Sequence, residues 1–200
     1  MNAYILASGI TNPLLFEGFD LPKSLIKIGD DTILDYQIDR FNKAEMDISI
    51  VIGYKSHSII DHCVEKGYHV RFIFDDTWDE NQGIVKTVMG VRENLYSKES
   101  VIITYGDLLF NSDLIEALVS SWGDICKVSK GAQIVKFTPT GFQKFIDHYN
   151  TFPDFGRGFM GMPFNDIVTV PYAWHTDIDN KRQLNSLSVN SLEPLSHPFS

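Results

Sequence analysis

Apolar positions fall into two kinds of run along the first 121 residues, and the two kinds alternate. Continuous apolar runs predict buried strands over residues 3–7 (Ala-Tyr-Ile-Leu-Ala), 48–52 (Ile-Ser-Ile-Val-Ile), 70–74 and 101–104 (Val-Ile-Ile-Thr). Helical spacing of apolar residues predicts helices over 32–44 (Ile33, Leu34, Ile38, Phe41), 58–66, 84–95 and 111–121 (Leu114, Ile115, Leu118). Ser56 or Ser58 is the expected cap of the second helix, and Asn111-Ser112-Asp113 opens the fourth. A brief apolar stretch at 24–28 sits alone in a long loop.

Strand and helix in regular alternation predict a mainly parallel sheet covered by helices, the α/β class. Ligands of such sheets collect at the carboxyl ends of the strands. Ser8-Gly9, Gly53-Tyr54-Lys55, Asp75-Asp76 and Tyr105-Gly106-Asp107 follow the four strands and are expected to share one rim. Beyond Trp122 the pattern weakens. It predicts a strand over 133–137, a helix over 141–149, a Gly-, Pro- and aromatic-rich loop or lid over 152–163, and a last strand over 168–174 leading to Asp177-Ile178-Asp179. The absence of a repeat or linker makes the chain one domain, with a ligand-binding half at 1–121 and a shorter half at 122–200.

Composition narrows the function classes. Two hundred residues, 44% hydrophobic and 22% charged, suffice for a core without disulfide or metal staples. Cys63 and Cys126 stand in apolar surroundings without metal-ligand spacing, and read as core thiols of a reducing compartment. A formal charge of -9 speaks against a general nucleic-acid binder. The first residues lack the features of a signal peptide and no apolar run is long enough to span a bilayer, so a cytoplasmic, membrane-free protein is expected.

Three motifs carry the chemistry: Leu6-Ala7-Ser8-Gly9 followed by Leu21-Pro22-Lys23-Ser24-Leu25, then Tyr105-Gly106-Asp107-Leu108-Leu109-Phe110, then Asp177-Ile178-Asp179. Their ordered set resembles the nucleotidyltransferase superfamily that makes NDP-sugars and CDP-alcohols. Its pattern is an opening Leu-Ala-Ala-Gly, a Gly-x-Gly-Ser/Thr-Arg loop, Pro-Lys, Gly-Asp and an Ile-Asp-Thr-type motif. Tyr36-Gln37, Gly53-Tyr54-Lys55 and the helix from Ile84 also stand where that pattern has them.

The resemblance implies a three-layer α/β/α Rossmann-like sandwich with a mainly parallel, mixed sheet. It implies an enzyme moving a nucleotidyl group, CMP favoured, from an NTP, CTP favoured, to a small phosphate or phosphonate acceptor, with pyrophosphate released. Lys23 would be the catalytic cation. Asp107 and Asp179 would hold Mg2+, with Asp177 the fallback. Leu6, Ala7, Ser8, Gly9, Gln82, Gly83 and Gly106 would line the nucleotide. Gln82 reads equally well as a base-edge contact and as turn chemistry. Self-association is left open.

The loop after Gly9 departs from the pattern: Thr11 replaces its second glycine, Asn12 its Ser/Thr and Pro13 its arginine. Proline offers neither charge nor N–H, and losing one such donor costs on the order of a hundredfold in rate. Arg157 is the one replacement the sequence offers. Pro13 also favours the rival reading, a catalytically impaired nucleotide-binding homologue that regulates or scaffolds a partner. Asp75, Asp76, Asp79 and Glu80 are expected to form a solvated loop face.

Overall fold

The computed structural model describes residues 1–10, 19–80, 83–95, 98–128, 133–152, 168–170 and 175–178. The chain opens with β1 (Asn2–Ala7), a 3-10 turn over Lys23–Leu25, the short strands β2 (Lys27–Ile28) and β3 (Asp31–Thr32), α1 (Ile33–Lys43), β4 (Asp47–Ile52), α2 (Ser56–Glu65) and β5 (Arg71–Phe74). A 3-10 turn over Trp78–Glu80 leads to α3 (Ile84–Gly90), α4 (Arg92–Leu95), β6 (Val101–Tyr105), β7 (Leu108–Phe110) and α5 (Ser112–Ser120). The second half supplies β8 (Ile125–Val128), β9 (Ile134–Phe137), α6 (Pro139–Thr151), β10 (Val168–Val170) and β11 (His175–Asp177).

Seven strands form the central sheet in the order β10-β8-β9-β6-β1-β4-β5. β1 is parallel to β4 and β6, β4 to β5 and β10 to β8, while β9 runs against β6 and β8. The sheet is therefore mixed and mainly parallel. Side chains of β1 alternate between two cores, as the twofold period of a strand requires. Ala3, Ile5 and Ala7 pack with Leu34, Ile38, Phe41, Ile59 and Leu114 of α1, α2 and α5. Tyr4 and Leu6 pack with Val85, Val88, Leu95, Phe142 and Phe145 of α3, α4 and α6. Helices thus cover both faces, which is the expected three-layer sandwich. Cys63 and Cys126 are free and buried in the first of these cores.

Several expectations need correction. The helix over 84–95 is interrupted, because Gly90, a poor helix former, ends α3 and Val91 separates it from α4. Neither serine caps α2; Lys55 does so with a left-handed backbone, φ 46°, and no side-chain bond. β8 and β7, of four and three residues, went unpredicted because runs so short show little period. The last strand expected over 168–174 is described as β10 over its first three residues, 171–174 lying outside the described residues. β10 joins the central sheet at its edge, whereas β11 pairs antiparallel with β7, Asp177 opposite Leu108. The suggested lid at 152–163 lies, except for Phe152, outside the described residues.

Candidate active site

The four loops do meet at one rim, stitched by main-chain bonds. Gly106 N donates to Leu6 O, Tyr54 N to Ser8 O and Asp75 N to Ile52 O, each at 2.9 Å. A Cβ on Gly106 would stand 3.0 Å from Leu6 O and 3.1 Å from Ala7 Cβ, so glycine lets this turn close against β1. Among the described residues a Cβ on Gly9 would meet nothing within 4 Å, and Gly9 is exposed. The described residues therefore leave the space above the Ser8-Gly9 turn open. Leu6 and Ala7 send their side chains into opposite cores and have only main chain to offer that space. Gly83, with φ 75°, occupies the left-handed region that glycine adopts readily and starts α3.

Lys23 is set by local chain chemistry. Pro22 precedes a single 3-10 turn in which Leu25 N bonds Pro22 O at 2.9 Å and Ile26 N bonds Lys23 O at 3.0 Å. Ser24, Leu25 and Ile26 are buried, which roots the turn and leaves the lysine facing the rim. On its amino-terminal side Asp20 is tied to the β4–α2 turn: Tyr54 Oη donates to its carboxylate at 3.0 Å and Lys55 Nζ to its carbonyl at 2.8 Å. Lys55 Nζ also pairs with the Asp20 carboxylate, and this bond foremost, then Tyr54's, holds the exposed Asp20 carboxyl below its usual range.

From this turn Lys23 Nζ reaches Asp107 Oδ2 at 2.9 Å, with both side chains partly exposed. The pair joins residues 84 apart in sequence. Asp107 is held in turn by Gln37 of α1. Its Nε2 donates to Tyr105 O and Leu108 O, both at 2.7 Å, bracketing the Gly106-Asp107 turn. Gln37 is 1% exposed, so this bracket is part of the interior. On the other side Ile178 N donates to Asp107 O at 2.9 Å, bringing the end of β11 alongside.

Asp75 contradicts the expectation of a solvated face. It is 2% exposed, accepting from Ser8 Oγ at 2.8 Å, Thr77 N at 3.0 Å and Thr77 Oγ1 at 2.8 Å, while Asp76 and Asp79 are exposed as expected. Sequence reasoning put Asp75 on the rim as a solvated residue without a partner and gave Gln37 no role. A signal did exist for Asp75: Ser8 stands where the resembling pattern has alanine, and a buried hydroxyl needs an acceptor.

The structure brings together Lys23, Asp107, Gly106 and the Leu6-to-Gly9 segment. Gln82, Asp179, Thr11, Asn12, Pro13 and Arg157 lie outside the described residues. The donor set suits magnesium, a hard cation that takes one or two carboxylates and keeps waters or phosphate oxygens. Asp107 is such a carboxylate, at the rim and partly exposed, with the chain of the second acidic motif hydrogen-bonded beside it. No group of three or more His, Cys, Asp or Glu able to hold a metal occurs among the described residues.

The family model of the MobA-like NTP transferase domain matches residues 3–150. The chain belongs to this family. The match spans β1 to α6 and contains both Lys23 and Asp107. Among relatives of the NTP transferase chain, the CTP:phosphoglutamine cytidylyltransferase of Campylobacter jejuni is 24% identical over 125 residues, covering 60% of this chain and 49% of that protein. The choline-phosphate cytidylyltransferase of Streptococcus pneumoniae is 30% identical over 113 residues, 56% of this chain and 47% of that one. The chain thus spans about half the length of these relatives.

Solved structures share the fold. The CTP:phosphocholine cytidylyltransferase from Streptococcus pneumoniae superposes with a TM-score of 0.65 at 17% identity, covering 92% of this chain and 96% of that one. The inositol-1-phosphate CTP transferase from T. maritima gives 0.64 at 15%, covering 92% and 91%. Among the described residues no helix is long and apolar enough to cross a membrane.

Proposed function

We propose that this NTP transferase-family chain moves a CMP group from CTP to a small acceptor bearing a phosphate or phosphonate, releasing pyrophosphate. The observation that carries the reading is the Lys23–Asp107 pair, 2.9 Å apart at the carboxyl rim beside the open Ser8-Gly9 turn. CTP is favoured because the relatives above are named as cytidylyltransferases. Capsule, surface-glycan or phosphonate biosynthesis is the setting such an activity would serve, in the cytoplasm.

The chemistry is a direct displacement. An acceptor phosphate oxygen attacks the α-phosphorus, the new P–O bond forms as the bond to the β-bridging oxygen breaks, and pyrophosphate leaves with that electron pair. Lys23 gives up Asp107 for the phosphate oxygens and offsets the charge that builds on them during attack. Main-chain amides at Ser8 and Gly9 approach the nucleotide through the open space above the turn. Gln37 and Ile178 keep the Asp107 turn in place. Asp107 and Asp179 would hold Mg2+, which when bound neutralises phosphate oxygens and orients the triphosphate. Arg157 is the proposed stand-in for the cation that Pro13 removes.

Pyrophosphate release is the test, with each of the four NTPs against phosphocholine, phosphoglutamine, aminoethylphosphonate and sugar 1-phosphates. Release with CTP and one of these acceptors is expected, together with loss of metal-dependent nucleotide binding in Asp107→Asn. If no pair releases pyrophosphate while Mg2+-dependent nucleotide binding persists, the transferase reading fails and a binding role replaces it.

A further inference from the structure

We infer that Asp75 is a positioning residue for the nucleotide, tying through Ser8 the loop after β1 to the segment that leads towards Gly83, two parts of the chain assigned to the nucleotide. The inference rests on the nucleotide site proposed above. A carboxylate buried to 2% exposure is costly unless fully satisfied, and the described contacts satisfy Asp75 with three neutral donors rather than an ion pair. Ser8 Oγ donates from the end of β1; Thr77 N and Oγ1 donate from the segment after β5. Charge-assisted bonds of this kind are the strong ones, so Ser8 and Thr77 are locked to a common point.

What lies beyond each anchor gives the lock its consequence. Ser8 carries the open Gly9 turn, and its carbonyl is held on the other side by Tyr54 N. Thr77 leads into Trp78, which packs so closely on Gly53 that an added Cβ there would stand 2.4 Å from Trp78 Cβ. Trp78 also lies against the Tyr54 ring, centroids 5.7 Å apart. Gly83, also assigned to the nucleotide, starts α3 three residues beyond this 3-10 turn. Asp75 therefore ties the first nucleotide loop to the segment that precedes Gly83. Lys23 and Asp107 stand on the other side of β1, towards β6, whereas Asp75 follows β5.

Two consequences follow. Loosening the lock weakens nucleotide binding and blurs the choice of base more than it affects the acceptor. Ser8 and Asp75 also act as one unit, so removing both costs no more than removing either.

The test compares the parent with Ser8→Ala, Asp75→Asn and the double variant, by calorimetric binding of CTP with Mg2+ and by steady-state kinetics. KM and Kd for CTP should rise about tenfold in each single variant, the cost of one bond to a charged group. The double variant should match the worse single one, the CTP-over-UTP preference should shrink, and KM for the acceptor should move less than KM for CTP. Thermal melts identify variants that fail to fold, and Ser8→Ala, the mildest change, carries the decision. If it lowers the melting temperature but leaves CTP affinity and base preference unchanged, the pair is only structural and the inference is overturned. A fall in kcat at unchanged CTP affinity overturns it too. A parent that binds no nucleotide sinks the proposed function itself, and this inference with it.

Discussion

At 2.9 Å, Lys23 and Asp107 are each other's counter-ion, and any ligand that uses one must take it from the other. Phosphates compete for the ammonium and a metal for the carboxylate, so under the proposed function nucleotide and metal help each other bind. Replacing Lys23 by methionine keeps the apolar stem and removes the charge. Lys23→Met should lower nucleotidyl transfer by about a hundredfold or more, from precedents for lost transition-state donors. The same variant should bind Mn2+ more tightly than the parent in the absence of nucleotide, since Asp107 is no longer neutralised. Electron paramagnetic resonance titration of free Mn2+ measures this directly. Unchanged or weaker Mn2+ binding would show that Asp107 is not the metal's ligand.

Among the elements, α1 does most to shape the site. Its amino terminus is a capping box: Thr32 accepts from Asp35 N, while the Asp35 carboxylate accepts from Thr32 N at 2.7 Å. That carboxylate also meets His62 Nε2 at 2.8 Å and Tyr68 Oη at 2.7 Å, binding α1 to α2. Burial is the largest single influence on it and pushes its pKa up. The bonds from His62, Thr32 N and Tyr68 together outweigh burial and hold it well below the ordinary range. A depressed folded-state carboxyl contributes stability above the unfolded value, about pH 4, and that contribution drains away as pH falls through the folded value. Urea midpoints followed from pH 6 downwards should therefore drop more steeply in the parent than in Asp35→Asn. Two residues along, Gln37→Leu takes the Nε2 donor away from Tyr105 O and Leu108 O, at about 1–3 kcal/mol for a buried acceptor that finds no replacement. It should lower both the melting temperature and kcat, because the turn it brackets carries Asp107. The period of α1 was plain in the sequence, at Ile33, Leu34, Ile38 and Phe41. Its polar contacts were not, since a hydrogen bond from Gln37 to residues 68 and 71 positions away leaves no trace in any local pattern.

For the whole molecule, what the sequence revealed and what it concealed divide along the same line. Strands of five or six residues and helices of nine or more announce themselves by period, and the shared rim follows from their alternation. Lys23, Gly106 and Asp107 were singled out because they belong to motifs, and Asp75 was misjudged because its partner Ser8 lies 67 residues away. The second half was hardest, since β10 and β11 are three residues each and enter different sheets. Yet β11 brings the chain alongside the Asp107 turn. Beyond it Ile178, 0% exposed, completes a small core with Ile26, Ile28, Ile33, Tyr36 and Leu109. This core lies directly behind the turn that presents Lys23, and Ile178 N holds Asp107 O from the same position. One residue outside the span of the family match thus supports both charged groups. Ile178→Ala should cost about 2–5 kcal/mol, the usual range for emptying a buried aliphatic site. In a chain of this length that lowers the melting temperature by on the order of 10 °C. Activity assayed well below the melting temperature should fall in kcat more than in nucleotide KM, because the Lys23 turn and the Asp107 turn lose a common backing while the Ser8–Asp75 lock on the far side of β1 keeps its own. Equal falls in both parameters would mean that this core supports the whole rim and not the reacting end alone.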